Sequence, residues 1–263
     1  MTGPPGAKFK YDLLSNSQPG IIYQARHIGA FEAKNKPPGS NGNNEMQWYT
    51  DSAVTQDPGT GEVTIKAERH RDGRITSARL ESYGMWTTAQ SSDIKMRGYV
   101  EVEATLPAKV GHHNFAGSWP AIWLLGPKSR RWPHNAEIDI VEVSDGKPKI
   151  IMTTHSTNRN MGNGQHPSKS PYRANADFTI DPLIAGLEWN VQPDKGQIDL
   201  TWWMSWRDVS TKQWVKSHTT KSLFKNRNND YEDFYTTFKN EGFALILNLA
   251  QGGAFPRDAK HLY

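Results

Sequence analysis

Residues 98–107 alternate strictly: Val100, Val102, Ala104 and Leu106 fall on one side of an extended chain, and Glu101, Glu103 and Thr105 on the other. Comparable runs recur at 62–68, 75–82, 150–156, 198–206, 214–219 and 243–250, each bounded by Gly, Pro, Asn or Asp. Short segments of period two, punctuated this regularly, predict an all-β chain built as an antiparallel sandwich or barrel. A single stretch departs from the pattern. In 230–239, Tyr231, Phe234, Tyr235 and Phe238 recur at helical spacing behind an Asn/Asp start, which predicts one short helix. Two Gly-, Pro- and Asn-rich stretches, 34–44 and 157–174, read as long loops, and long loops on a β scaffold are often functional. The 263 residues contain no internal repeat and no convincing linker, so we expect a single domain over 1–263.

Charge and composition remove several classes of function. Thirty-one basic residues against 27 acidic ones give a net charge of +4, too even a mixture for a nucleic-acid partner, although an anionic substrate stays open. No apolar run reaches membrane-spanning length, so no membrane partner is expected. Cysteine is absent, which excludes disulfides. The chain starts Met1-Thr2-Gly3-Pro4-Pro5 without a charged and then apolar leader, so any secretion signal is expected to have been removed or never to have existed. Ten Trp, nine Tyr and nine Phe in a chain of mean hydropathy −0.73 exceed what packing alone would ask for. Some of these rings are expected to line a surface.

The segment Glu137-Ile138-Asp139-Ile140-Val141-Glu142 places three carboxylates in a β-branched, apolar run, an expensive location for negative charge. In a strand, Glu137 and Asp139 share a face. Glu142 has the wrong parity, and one bulged residue in the run would return it to their side. Glu137 and Glu142 would then lie about four strand steps, roughly 13 Å, apart at their Cα atoms. Side chains leaning together from that distance could reach the roughly 5–5.5 Å carboxyl separation of a retaining glycosidase. Asp139 between them would hydrogen-bond one Glu and help decide which carboxyl is ionised. A solvated acidic surface strand is the bland alternative, and the apolar Ile138, Ile140, Val141 and Val143 argue against it.

Aromatic residues gather just upstream. Gly117-Ser118-Trp119-Pro120-Ala121-Ile122-Trp123 and Arg131-Trp132-Pro133 bring three Trp close before the carboxylates. Indole rings stack on the apolar faces of sugar rings, so Trp119, Trp123 and Trp132 are candidates for lining a cleft, with core packing the alternative for each. His155 falls on the next strand expected, beside the acidic one if the two form a hairpin through Ser144-Asp145-Gly146-Lys147-Pro148. From there it could hydrogen-bond the general acid or a sugar hydroxyl.

Together these residues resemble glycoside hydrolase family 16, specifically its laminarinase-like members with the bulged Glu-x-Asp-x-x-Glu strand. The resemblance rests on Trp119-Pro120-Ala121-Ile122-Trp123, Trp132-Pro133 and Glu137 to Glu142. It extends to Asn44-Glu45-Met46-Gln47-Trp48-Tyr49, Ser77-Ala78-Arg79-Leu80, Gly186-Leu187-Glu188-Trp189 and Leu247-Asn248-Leu249-Ala250-Gln251-Gly252-Gly253. It implies a β-jelly roll of two bent antiparallel sheets with an open concave cleft. It implies Glu137 as nucleophile, Asp139 as assisting acid and Glu142 as general acid/base of a retaining double displacement. Trp123, Trp132, His155 and Trp119 would line the cleft, and Asn44 and Arg79 match the family's polar contacts more loosely.

The activity implied is endo-hydrolysis of β-1,3-glucan or mixed β-1,3/1,4-glucan, by a monomer acting on polysaccharide, secreted or at the cell surface or periplasm. No metal or cofactor is implied for the chemistry. The alternatives are hydrolysis of an algal galactan, which Arg130-Arg131 beside Trp132 keeps open, a transglycosylase, and a non-catalytic β-glucan-recognition protein. Three departures stand out. Ala136 replaces the usual Gly before the nucleophile, a small change expected to do little. The family's opening strand is not recognisable in 1–30, and its closing strand is absent after Tyr263, which implies diverged ends or a fragment. A structural calcium found in many members depends on those segments, so it is left open and poorly supported.

Overall fold

The computed structural model describes residues 27–28, 31–40, 42–82, 96–111, 115–157, 165–167, 172–226 and 230–256. Two large antiparallel sheets carry the fold, as the alternating runs require. The first runs in the order His27–Ile28, Phe31–Ala33, Arg79–Ser82, Ala244–Gln251, Ser118–Leu125, Glu137–Glu142, Lys149–His155 and Gln165–Pro167, with Tyr172–Arg173 also pairing Lys149–His155. The second runs Trp214–Phe224, Gln197–Arg207, Leu183–Gln192 and Arg97–Ala104. We call these the nine-stranded and the four-stranded sheet. A small sheet, Gln47–Tyr49, Ile75–Ser77 and Glu68–Arg69, and the hairpin Val54–Gln56/Val63–Ile65 flank them.

Between the two large sheets lies one core. Leu80, Leu124, Ile138 and Leu245 of the nine-stranded sheet meet Leu187, Trp189, Leu200 and Trp202 of the four-stranded one, all essentially inaccessible to water. Burying large rings this completely is the main favourable term available to a chain without disulfides. Gly98 shows how tightly the layer is filled, since a Cβ there would sit 2.2 Å from the Trp189 ring. The expected helix forms at Asp230–Thr236 and continues as a π turn over Thr237–Glu241, burying Tyr231, Phe234 and Phe238.

Two expectations are revised, and one strand is added to those expected. The loop expected at 157–174 contains two short strands, Gln165–Pro167 and Tyr172–Arg173, which extend the nine-stranded sheet, while 158–164 and 168–171 lie outside the described residues. Although no opening strand is recognisable in 1–30, Phe31–Ala33 pairs with Arg79–Ser82 and His27–Ile28 pairs with it in turn, so a strand does cover that edge. Residues 1–26 lie outside the described residues. Finally, Leu183–Gln192, ten residues long, is the link between Gln197–Arg207 and Arg97–Ala104 in the four-stranded sheet.

Candidate active site

The acidic strand is irregular at the position its parity demands. Toward Ser118–Leu125, Val141 pairs with Ile122 and Asp139 with Trp123, so Ile140 is extra. Toward Lys149–His155, Asp139 pairs with Thr153 and Glu142 with Ile151, three steps against two. One bulge spanning Ile140–Val141 therefore puts Glu137, Asp139 and Glu142 on one face, away from the core, while Ile138, Ile140, Val141 and Val143 are wholly buried. The neighbouring strand arrives through a tight turn. Asp145 and Gly146 both take positive φ, 58° and 66°, as the central residues of a β-turn that Lys147 N–H closes on the Ser144 carbonyl at 3.2 Å, and the register sets His155 opposite Glu137.

Each glutamate receives one indole N–H. Trp132 Nε1 donates to Glu137 Oε2 at 3.2 Å, and Trp119 Nε1 donates to Glu142 Oε1 at 3.1 Å. His155 Nε2 lies 3.1 Å from Asp139 Oδ2 and 3.4 Å from Glu137 Oε1, so a hydrogen on Nε2 serves both carboxylates. Its ring stands 5.5 Å from that of Trp132, tilted by 47°. Trp132 itself is 46% exposed, an open face beside the carboxylates, whereas Trp119 stacks on Phe255 at 4.9 Å. Burial is the largest cause raising all three carboxyls above the ordinary carboxylate range, each to about 8. Repulsion from Asp139 adds to the rise at both glutamates, and His155 opposes it at both. Such a cluster holds protons at neutral pH, as one member must if it is to act as an acid. Glu137, Asp139 and His155 also present ligand atoms within 4.8 Å of one another and so could hold a cation.

Trp123 lies on the same face, Cα partner to Asp139, with Nε1 donating to Asn248 Oδ1 at 2.7 Å. The Arg79 guanidinium sits 4.7 Å from the Trp123 ring centroid and donates through Nε to Glu81 Oε1 at 2.7 Å. Thus Trp119, Trp123, Trp132, His155 and Arg79 all gather around or beside the acidic strand. Asn44 does not join them: it is exposed and adopts a φ of 57°, a turn position that Asn tolerates. Its neighbour Glu45 is the inward residue instead. Buried Glu45 accepts from Gln47 Nε2 and from the Tyr49 hydroxyl, and Asn248 Nδ2 donates to that same hydroxyl at 3.2 Å. The relay Glu45–Tyr49–Asn248–Trp123 fixes the ring at the site; its members fall in segments that carry the family resemblance, but no spacing in the sequence links them.

Arg130 is also placed differently from the role considered for it. It donates to Glu241 Oε2, to the His134 carbonyl and to Thr237 Oγ1, tying the loop before the acidic strand to the helix. A guanidinium so occupied is not offering itself to a substrate sulfate. Ala136 is buried at a φ of 62°, the left-handed region, which explains why glycine is the natural choice before Glu137.

Comparison with known proteins agrees with this geometry. The family model described as the XgeA-like catalytic domain of glycoside hydrolase family 16 matches residues 108–180, the segment holding all three carboxylates and His155. A glucan endo-1,3-beta-glucosidase of Cryptopygus antarcticus is 27% identical over 224 residues, spanning 81% of this chain and 72% of its own. A beta-glucanase of Rhodothermus marinus is 29% identical over 226 residues, 81% of this chain and 67% of its own. The endo-1,3-beta-glucanase structure from Streptomyces sioyaensis superposes with a TM-score of 0.66 at 20% identity, covering 97% of this chain and 88% of that one, and shares the jelly-roll fold. With a bulged Glu-x-Asp-x-x-Glu strand on one face of a jelly roll and these relatives across most of its length, the chain is similar to the laminarinase-like members of glycoside hydrolase family 16.

Proposed function

We propose that the protein is a retaining endo-hydrolase of β-1,3-glucan or mixed β-1,3/1,4-glucan. The observation that carries this reading is the bulge at Ile140–Val141, which turns Glu137 and Glu142 to one face with Asp139 between them. Glu137 attacks the anomeric carbon while protonated Glu142 gives its proton to the departing glycosidic oxygen, so that one C–O bond forms as the other breaks. Glu142, now ionised, takes a proton from water, and that water displaces Glu137 from the glycosyl-enzyme. Two inversions keep the configuration. Glu137 suits the nucleophile's part because the Trp132 indole N–H and His155 Nε2 both face its carboxylate. Asp139, linked to His155, holds the array together.

The relatives' names support the substrate class, and open Trp132 beside the carboxylates is a ring on which a pyranose can stack. A polymer of this kind is met outside the cytoplasm, so we read the enzyme as secreted or at the cell surface. Incubation with laminarin, lichenan, agarose and carrageenan, followed by reducing-end measurement, tests the reading. Products from laminarin or lichenan are expected, and the absence of products from both would overturn it.

A further inference from the structure

His155 stands between Glu137 and Asp139, yet its own ring is anchored on one side only. Nε2 faces the two carboxylates, while the buried Nδ1 has no hydrogen-bond partner among the described residues. A histidine that serves a reacting group ordinarily has its second nitrogen tied down, which fixes the ring. Here the ties lie on its neighbours. Thr154 and Ser156, alternating with His155 along the chain, point into the core, where they are 1% and 0% exposed. Lys221 Nζ donates to Thr154 Oγ1 at 2.6 Å, and Ser156 Oγ donates to Asp230 Oδ1.

The two grips come from different layers. Lys221 belongs to Trp214–Phe224 at the edge of the four-stranded sheet, where it pairs with core-facing Leu200, so its side chain crosses between the sheets to reach Thr154. Asp230 opens the helix Asp230–Thr236, whose first turn also holds the next residue along: Asp233 Oδ2 accepts from Thr157 N at 2.7 Å. Stability alone does not ask for such charges. A buried ammonium loses its hydration, and a buried ion pair is often no better than apolar side chains of the same volume. Burial lowers the Lys221 pKa to about 8, and the charge of Asp230 opposes the fall. What the two residues achieve is to hold both neighbours of His155 from behind, one from the facing sheet and one from the helix.

We propose that Lys221 and Asp230 are positioning residues for the reaction: through Thr154 and Ser156 they set the depth of His155, and with it the contact of Nε2 with Asp139 and Glu137. Both act from the core side of the strand, away from the face that carries the carboxylates. The inference rests on the hydrolase reading above for its kinetics, and on the hydrogen bonds alone for the placement of His155.

The test removes the Lys221 tie with little change of volume, in Lys221→Met and in Thr154→Val, and keeps its hydroxyl in Thr154→Ser. Well below the melting temperature, kcat on laminarin should fall about tenfold in the first two variants while KM stays within about twofold, the scale of a small misplacement at a reacting centre. Thr154→Ser should keep most of the wild-type kcat. In protein carrying isotope-labelled histidine, with His155 assigned by its absence from His155→Asn, the Nε2 signal in NMR should shift in Lys221→Met and Thr154→Val and lie near its wild-type place in Thr154→Ser. A clamp that only stabilised the fold would lower the melting temperature and leave kcat and the His155 signal unchanged. That result would overturn the proposal, as would a Thr154→Ser variant as slow as Thr154→Val. If Lys221→Met does not fold, Thr154→Val and Ser156→Ala decide by the same readings. If wild type cleaves no glucan, the hydrolase reading fails by itself, and the His155 signal decides alone: unmoved in the variants, it removes the positioning role.

Discussion

Trp202, in the middle of the four-stranded sheet, reaches across the core and donates its Nε1–H to the backbone carbonyl of Asp139 at 2.9 Å. The acceptor stands directly before the bulge, where ladder pairing is interrupted. An indole buried between the sheets thereby satisfies a backbone group at the irregularity on which the candidate active site depends. Trp202→Phe keeps most of the ring volume and removes the N–H. We expect a loss of ~1–3 kcal/mol, the usual cost of a buried carbonyl left unpaired, read by urea denaturation. We also expect kcat on laminarin to fall more than KM rises, because the carboxylates lose their register before the cleft loses its rings. A variant as stable and active as wild type would show that the bulge holds without this bond.

The assignment of the two glutamates is tested by stereochemistry. Glu137→Gln and Glu142→Gln should each lower turnover by at least ~10³-fold while laminari-oligosaccharide binding, measured calorimetrically, persists. Azide added to Glu137→Ala should restore activity by taking the nucleophile's place and yield an α-glycosyl azide, visible by NMR. A β-azide from that variant would reverse the two roles.

The pH dependence of stability should run opposite to that of an ordinary salt-bridged carboxylate. Glu137, Asp139 and Glu142 have folded pKa values raised to about 8 from 4.5, 3.8 and 4.5. A raised folded pKa means that the native state binds more protons than the unfolded one between these limits, so stability falls as pH rises. The contribution is fully present below about pH 4 and is lost progressively up to about pH 8. Calorimetric melting of wild type from pH 5 to 8 should show this decline. Glu142→Gln, which cannot ionise, should melt higher than wild type at pH 8, by the equivalent of at least ~1 kcal/mol. Parallel curves for the two proteins would show that Glu142 ionises without hindrance in the folded state.

The parity of the acidic run pointed to the bulge, because one extra residue in a period-two segment returns Glu142 to the face of Glu137 and Asp139. The hairpin through Ser144 to Pro148, which sets His155 on the strand beside the acidic one, was legible from its turn residues, whereas the register that puts His155 opposite Glu137 was not. What escaped was non-local. Glu45 reaches Trp123 through Tyr49 and Asn248, and Asn248 lies 199 positions from Tyr49 in the chain, so no spacing rule links them. Arg130 beside Trp132 resembled a substrate contact, yet its partners Thr237 and Glu241 come from a helix over a hundred positions on. Two central strands were also obscured. Pro120 interrupts Ser118–Leu125, where a missing N–H normally argues against a central strand, although its carbonyl still accepts from Val143 N at 3.2 Å. In Leu183–Gln192 the small Ala185 and Gly186 blunt an alternation whose buried positions are Leu183, Ala185, Leu187, Trp189 and Val191.

Ala136 carries a consequence that residue size alone would not suggest. It enters the acidic strand at a φ of 62° with no exposed surface, and its N–H donates to the Pro133 carbonyl at 2.9 Å. Left-handed geometry costs an L-residue roughly 1–2 kcal/mol, which Ala136→Gly would recover. The same change gives up a buried methyl worth about 0.8 kcal/mol and adds freedom to the unfolded chain worth about 0.4–1 kcal/mol. These terms nearly cancel, so Ala136→Gly should shift stability by less than ~1 kcal/mol and leave kcat close to that of wild type. Ala136→Val meets no such balance. A β-branched side chain at positive φ is a steric outlier, and the added methyls enter a filled site, for a combined loss of at least ~2 kcal/mol. Because Glu137 follows directly, the displaced backbone should also draw its carboxylate off the Trp132 indole, lowering kcat more than melting temperature alone accounts for. Thermal melts and laminarin kinetics on the two variants side by side test this: a Val variant as stable as the Gly one would mean that the left-handed turn before the nucleophile is not a constraint on this site.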